Sequence, residues 1–256
     1  MNREVFILRR NLTTLPFHLI IFPLMIALLK KLRDLLYVPL ASNVMWLNSL
    51  AVNSTVHLDV IGEEKIDLLH SQGKRIIFAF WHQATFRMFY YYRGKKICAL
   101  PVDNYLGRIL AGFFRKYGFR TVTYPERGSP MARTEAIARI IRTIRDEGYD
   151  CGIAVDGPPE EAIFKAKPGV FYLAARTGYP ILPIGIHYDR ARVMNFRWDK
   201  YLVPKLFSRA VMVMGDPIYV KENLSDMNIK DMAHDLEDKL HSLTEEAGRL
   251  SALKQS

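Results

Sequence analysis

Short apolar runs at residues 56–61, 75–81, 97–102, 119–124, 151–155, 180–188 and 210–214 alternate with longer stretches of helical spacing. This alternation is the strongest constraint on the fold. The run Ile76-Ile77-Phe78-Ala79-Phe80 holds no polar residue, as a strand covered on both faces requires. Helical spacing fills 63–71, 82–92, 105–117, 130–147, 170–177 and 229–250. The clearest of these starts with Ser129 as N-cap and Pro130 at the first helical position. It carries Ile137, Ile140, Ile141 and Ile144 as its stripe and stops at Gly148. The expected fold class is therefore α/β, a mostly parallel twisted sheet covered by helices on both faces. Ligands of such sheets gather at the carboxyl ends of the strands. His82, Asp103, Glu126, Arg127 and Asp156 all follow predicted strands, which places them around one cleft.

The N-terminal segment has a different character. Residues 15–29 carry no charge, with Arg3, Arg9 and Arg10 before them and Lys30, Lys31 and Arg33 after. That stretch is shorter than the roughly 20 residues of a spanning helix, and Pro16, His18 and Pro23 weaken it further. No small-residue cleavage pattern comes after it. Basic flanks on both sides fit a hairpin or interfacial segment that returns to the cytoplasmic face, continued by the apolar residues 35–52. The chain then divides into a hydrophobic membrane-associating part, 1–55, and an α/β domain, 56–256. The other reading of 1–55 is an ordinary buried pair of helices. A net charge of +10 attracts anionic surfaces. Without a nucleic-acid-binding motif, that points to membrane lipids and phosphate-bearing substrates, not nucleic acid. Cys98 and Cys151 lie in apolar runs and are expected to be buried and reduced.

Chemistry is concentrated after the strand at 75–81. His82 has the proton affinity of a general base near neutral pH, and no Gly-x-Ser-x-Gly elbow is present to suggest an ordinary serine hydrolase. Taken alone, His82 also reads as a core or helix-capping histidine. The motifs C-terminal to it are more specific: Arg127-Gly128-Ser129, Asp156-Gly157-Pro158, Lys167-Pro168-Gly169, Trp198-Asp199, Pro204-Lys205-Leu206-Phe207-Ser208 and Gly215-Asp216-Pro217-Ile218. In this order, behind Trp81-His82, residues 76–220 resemble a bacterial branch, of unknown function, of the lysophospholipid (glycerolipid) acyltransferase superfamily. The resemblance implies an acyltransferase on the cytoplasmic face of the inner membrane, with no bound cofactor. Acyl-CoA or acyl carrier protein would be the donor, and a lipid or glycolipid hydroxyl the acceptor. It implies that His82 deprotonates the acceptor and that Arg127, with Gly128 and Ser129, meets acceptor phosphate. Asp156, Gly157 and Pro158 would orient the acceptor or shape the oxyanion site, or else form only a tight turn. Lys165 and Lys167 would meet phosphate or simply be solvated.

Two positions depart from the pattern. Better-known members of the superfamily hold the imidazole with an acidic residue five positions after the histidine, where this chain has Arg87. Asp103 is then the first candidate to orient His82, and Glu126 the second. Pro159 stands where the branch has an arginine. Two other function classes stay open at this point. One is a lipid-binding protein that kept the fold and lost turnover; the other is a metal-dependent hydrolase built on His82, Asp103 and Asp156.

Overall fold

The computed structural model describes residues 17–125, 129–157, 163–223 and 226–254. Strands β1 (His57–Ile61), β2 (Ile77–Phe80), β3 (Ile97–Ala99), β4 (Arg120–Thr121), β5 (Asp150–Ala154), β6 (Ile181–Tyr188) and β9 (Arg209–Met214) form one sheet, ordered β1-β9-β6-β2-β5-β3-β4. All its ladders are parallel except β6 against β9, so β1 and β9 run opposite to the rest. A separate hairpin, β7 (Ala191–Val193) with β8 (Leu202–Pro204), springs from the end of β6. The expected mixed, mostly parallel α/β fold is what forms.

Helices cover both faces. Helices α1 (Phe17–Thr55), α3 (Thr85–Tyr91) and α4 (Tyr105–Lys116) serve one face, with α2 (Glu64–Ser71) contributing Leu69 to the same core. Helices α5 (Pro130–Arg145), α6 (Gly169–Thr177) and α7 (Asp226–Leu253) cover the other through Ile144, Phe171 and Leu240. The period of two along β2 divides its side chains between these layers. Ile77, Ala79 and Trp81 enter the layer under α5–α7, while Phe78 and Phe80 enter the layer under α1 and α4. Ser129 caps α5 as the sequence predicts, its hydroxyl accepting from Ala132 N–H at 3.2 Å. Cys98 and Cys151 are buried free thiols at facing positions on β3 and β5.

The N-terminal segment is helical and apolar as expected, but the structure corrects its path. It is neither a hairpin nor a buried pair but one α-helix of 39 residues, running through Pro23 and Pro39, about 58 Å long at 1.5 Å per residue. Packing on the domain supports its second half. Ser42 donates to the carbonyls of Val38 and Ile109 at 2.8 Å, and a Cβ on Gly112 of α4 would sit 2.3 Å from the Ser42 hydroxyl. Only glycine lets α4 approach that closely. Leu28, Leu29, Leu32, Leu35, Leu36 and Leu40 are left exposed.

Arg87, the departure that raised doubt about turnover, is explained by this helix. Its buried guanidinium donates from Nη1 to the Asn53 carbonyl in the last turn of α1, at 2.6 Å, and stacks on Tyr90 at 4.9 Å. A cation there gives the Asn53 carbonyl a second donor besides Val56 N–H and complements the negative end of the helix dipole. Arg87→Met is expected to destabilise the fold by about 1.5–3 kcal/mol, the range for a charge-assisted hydrogen bond. Urea midpoints at unchanged m-value measure this, and the rate per folded molecule is expected to stay level.

Candidate active site

The sheet register builds the site. Phe80 on β2 pairs with Ala154 on β5. Two residues beyond each of these, just past the strand ends, stand His82 and Asp156. The Asp156 side chain is fully buried, and its Oδ1 accepts the backbone N–H of His82 at 2.8 Å. Phe164 N–H lies 3.4 Å from Oδ2. The same Oδ1 stands 3.9 Å from His82 Nδ1, an atom that is buried and has no hydrogen-bond partner among the described residues. The carboxylate thus anchors the histidine backbone and holds a negative charge beside its ring. The imidazole side chain as a whole is 38% exposed, so the ring opens outward.

A strap between β7 and β8 closes the ring from above. The Trp198 indole meets the His82 ring edge-on, with centroids 5.2 Å apart. Asp199, completely buried, takes both Arg197 Nε at 2.9 Å and Nη2 at 2.7 Å in a forked pair. Gln83 donates to the carbonyl of Lys200, a residue with a left-handed φ of 46°. Burial lowers the proton affinity of His82, Asp156 and then Asp199 raise it, and Arg197 opposes them; burial prevails. The imidazole is therefore neutral at neutral pH, the form that accepts a proton.

On one side of His82 lies a cavity of about 380 Å³. Its walls are Phe78 and Phe80 of β2, Gly152 and Ala154 of β5, Phe113 of α4 and Met45 of α1, with many further apolar neighbours. Arg197, Thr85 and Tyr201 are among the polar groups bordering it.

Among the residues expected from sequence, His82, Asp156, Gly157 and Lys167 come together. A Cβ on Gly157 would stand 2.9 Å from the Lys167 ammonium, so the end of that side chain lies against the Gly157 backbone. Lys165 pairs with Glu237 at 3.2 Å. The Ser129 hydroxyl is occupied as the cap of α5. Asp103 is exposed, its N–H donated to Tyr124, and among the described residues it makes no hydrogen bond or ion pair with His82. Arg127, Gly128 and Pro158, with Glu126 and Pro159, lie outside the described residues. The Arg197–Asp199 pair and its place beside His82 went unforeseen. Its one sequence signal was Trp198-Asp199, which carries no hint of the β2 end it returns to.

No family model matches this chain, and no curated protein does. Among solved structures, the 1-acyl-sn-glycerophosphate (LPA) acyltransferase, PlsC, from Thermotoga maritima is similar at 13% identity and a TM-score of 0.46. That match covers 87% of this chain and 97% of the other. A likeness at that level carries no argument about activity, which rests on the site itself. Among the described residues no three His, Cys, Asp or Glu side chains gather as metal ligands.

Proposed function

We propose that this chain is a membrane-associated O-acyltransferase, moving an acyl chain from acyl-CoA or acyl carrier protein to a hydroxyl of a (lyso)phospholipid or glycolipid. One observation carries the reading: a neutral, half-open imidazole, backed by a buried carboxylate, borders a cavity lined chiefly by apolar side chains. A cavity of this size and lining suits an acyl chain, and with His82 on its wall a thioester carbonyl can sit beside the base. His82 takes the proton of the acceptor hydroxyl as the oxygen attacks that carbonyl. The tetrahedral oxyanion collapses, the C–S bond breaks, and the departing thiolate leaves as the thiol with the proton from His82. Asp156 supports the imidazolium in between. Its 3.9 Å separation from Nδ1 is one a small ring rotation would close, as catalytic hydrogen bonds commonly do once substrate is bound. Arg127, Gly128 and Lys167 remain candidates for holding anionic groups of the substrates, with Asp156, Gly157 and Pro158 shaping the acceptor side.

Helix α1 connects the cavity to a bilayer. It gives Met45 to the cavity wall while its leucines face outward. Over residues 25–55 it is long and apolar enough to cross a membrane, with only 11% of its most apolar window buried. Lys30, Lys31, Arg33 and Asp34 interrupt its first half, which favours a helix seated in the interface of the cytoplasmic leaflet. The test is transfer of labelled acyl chains from a mixed acyl-CoA and acyl carrier protein pool to total membrane lipid. The expected result is a labelled lipid whose mass reveals the acceptor, absent with His82→Ala. Tight vesicle binding with no labelled product from either protein would instead favour a lipid-binding role without turnover.

A further inference from the structure

The β7–β8 hairpin and the turn that follows it into β9 present more apolar surface than solvated loops require. Phe196, in the loop between β7 and β8, and Phe207, in the turn after β8, are 81% and 75% exposed, and Val193 and Leu206 are exposed as well. Phe207 sits at φ 56°, a conformation a bulky side chain rarely adopts. It is held there from both sides: its N–H donates to Thr55 Oγ1 at 3.1 Å, and its carbonyl accepts from Arg190 Nη2 at 2.6 Å. Strain of this kind, with the ring left in solvent, marks a site of use more often than one of stability. The charges around it have one sign. Arg192 and Lys205 are exposed, whereas the segment's two acids are engaged: Asp199 is buried against Arg197, and Asp189 accepts the Arg209 N–H at 2.8 Å.

We propose that this hairpin and the turn after it, through Phe196, Leu206 and Phe207 with Arg192 and Lys205, form a second membrane-docking surface that seats the His82 site on an anionic bilayer. Exposed aromatic rings bordered by cations fit a lipid interface, where rings enter the acyl boundary and cations meet the headgroups. The placement agrees with the site. The strand β6 that leads into the hairpin is parallel to β2, which delivers His82, and the strap carrying Trp198 over His82 joins β7 to β8. The hydrogen bond to Thr55 ties Phe207 to the end of α1. Two contacts, the α1 leucines and this hairpin, fix an orientation that one helix leaves free to roll. The inference rests on the reading of the chain as an enzyme of membrane lipids.

The native thiols are buried, so single cysteines can be labelled selectively with an environment-sensitive fluorophore. Phe207→Cys reports the proposed surface, Leu36→Cys reports α1, and Gln72→Cys, exposed beyond α2, serves as the solvent control. Full-length protein is mixed with phosphatidylcholine vesicles, with or without an equal share of phosphatidylglycerol, carrying quencher-labelled acyl chains. The expected result is quenching at 207 and 36 but not at 72, with anionic lipid strengthening binding about fivefold for each of the two cations. The unlabelled Phe196→Ser/Phe207→Gly variant, whose glycine keeps the left-handed backbone, is expected to bind about tenfold or more weakly. Quenching at 36 with none at 207 overturns the proposal and leaves the membrane reading standing; quenching at neither defeats both. A response at 207 to acyl carrier protein and not to vesicles would assign the surface to a protein partner and overturn the proposal.

Discussion

His82→Ala is expected to slow acyl transfer by about a hundred- to ten-thousand-fold, the span a positioned general base contributes. The variant should fold, because the ring opens outward and the bond to Asp156 is made by the backbone N–H, which alanine keeps. Asp156→Asn separates charge from geometry. The amide retains an acceptor for that N–H but loses the negative charge beside Nδ1, so the rate falls at least tenfold with little change in substrate KM. The pH profile supplies the sign. Burial holds the proton affinity of His82 below its ordinary value near 6.5. The base is therefore free at neutral pH, and the rate is lost as pH falls through a midpoint lying below that value. The Asp156 charge raises this proton affinity, so removing it moves the acid limb to still lower pH while the plateau drops. Asp103→Asn should leave the limb in place. An acid limb that rises in Asp156→Asn, or one that moves only in Asp103→Asn, would take the orienting role away from Asp156.

The choice between these two aspartates shows where sequence reading reached its limit. Position after a strand is visible in the sequence, and both Asp103 and Asp156 satisfy it. Which of them meets His82 depends on strand order, and β5, not β3, is the neighbour of β2. Pairing of Ile77 with Cys151 brings the ends of β2 and β5 side by side, and the His82 N–H then reaches the Asp156 carboxylate just beyond them. Strand cores and capped helices were legible because they depend on local pattern; the Ser129–Pro130 start of α5 is an example. The β7–β8 hairpin was not, since Ala191–Val193 and Leu202–Pro204 are too short to alternate visibly. The strand expected over 119–124 is regular only at Arg120–Thr121, although backbone bonds from Val122 and Tyr124 continue its pairing with the segment after β3. The helical, apolar character of α1 was legible, but its continuity was not: Pro23 resembles a break locally, yet Phe17–Thr55 is one helix, tied to α4 through Asp34 with Arg108 and through Ser42.

Gly152→Leu is expected to cut kcat/KM for long-chain donors by about a hundredfold and to spare short-chain donors. Gly152 lies on β5 at the cavity wall. A Cβ added there would meet Phe80 at 3.6 Å and Ile97 at 4.0 Å, ordinary contact distances, so Gly152→Ala should fold and act nearly as the parent does. Leucine, reaching further, would fill the space the acyl chain is proposed to occupy. Each methylene kept in water forfeits about 0.8 kcal/mol, so displacing about four costs roughly 3 kcal/mol, or two orders of magnitude in kcat/KM. The dependence on chain length distinguishes this from damage to the chemistry. His82→Ala should depress every donor by the same factor, whereas Gly152→Leu should give a loss that grows with each added carbon until the chain outruns the remaining cavity. A uniform loss across donors in a stably folded Gly152→Leu protein would mean that the acyl chain lies elsewhere, and that the cavity beside His82 serves the acceptor.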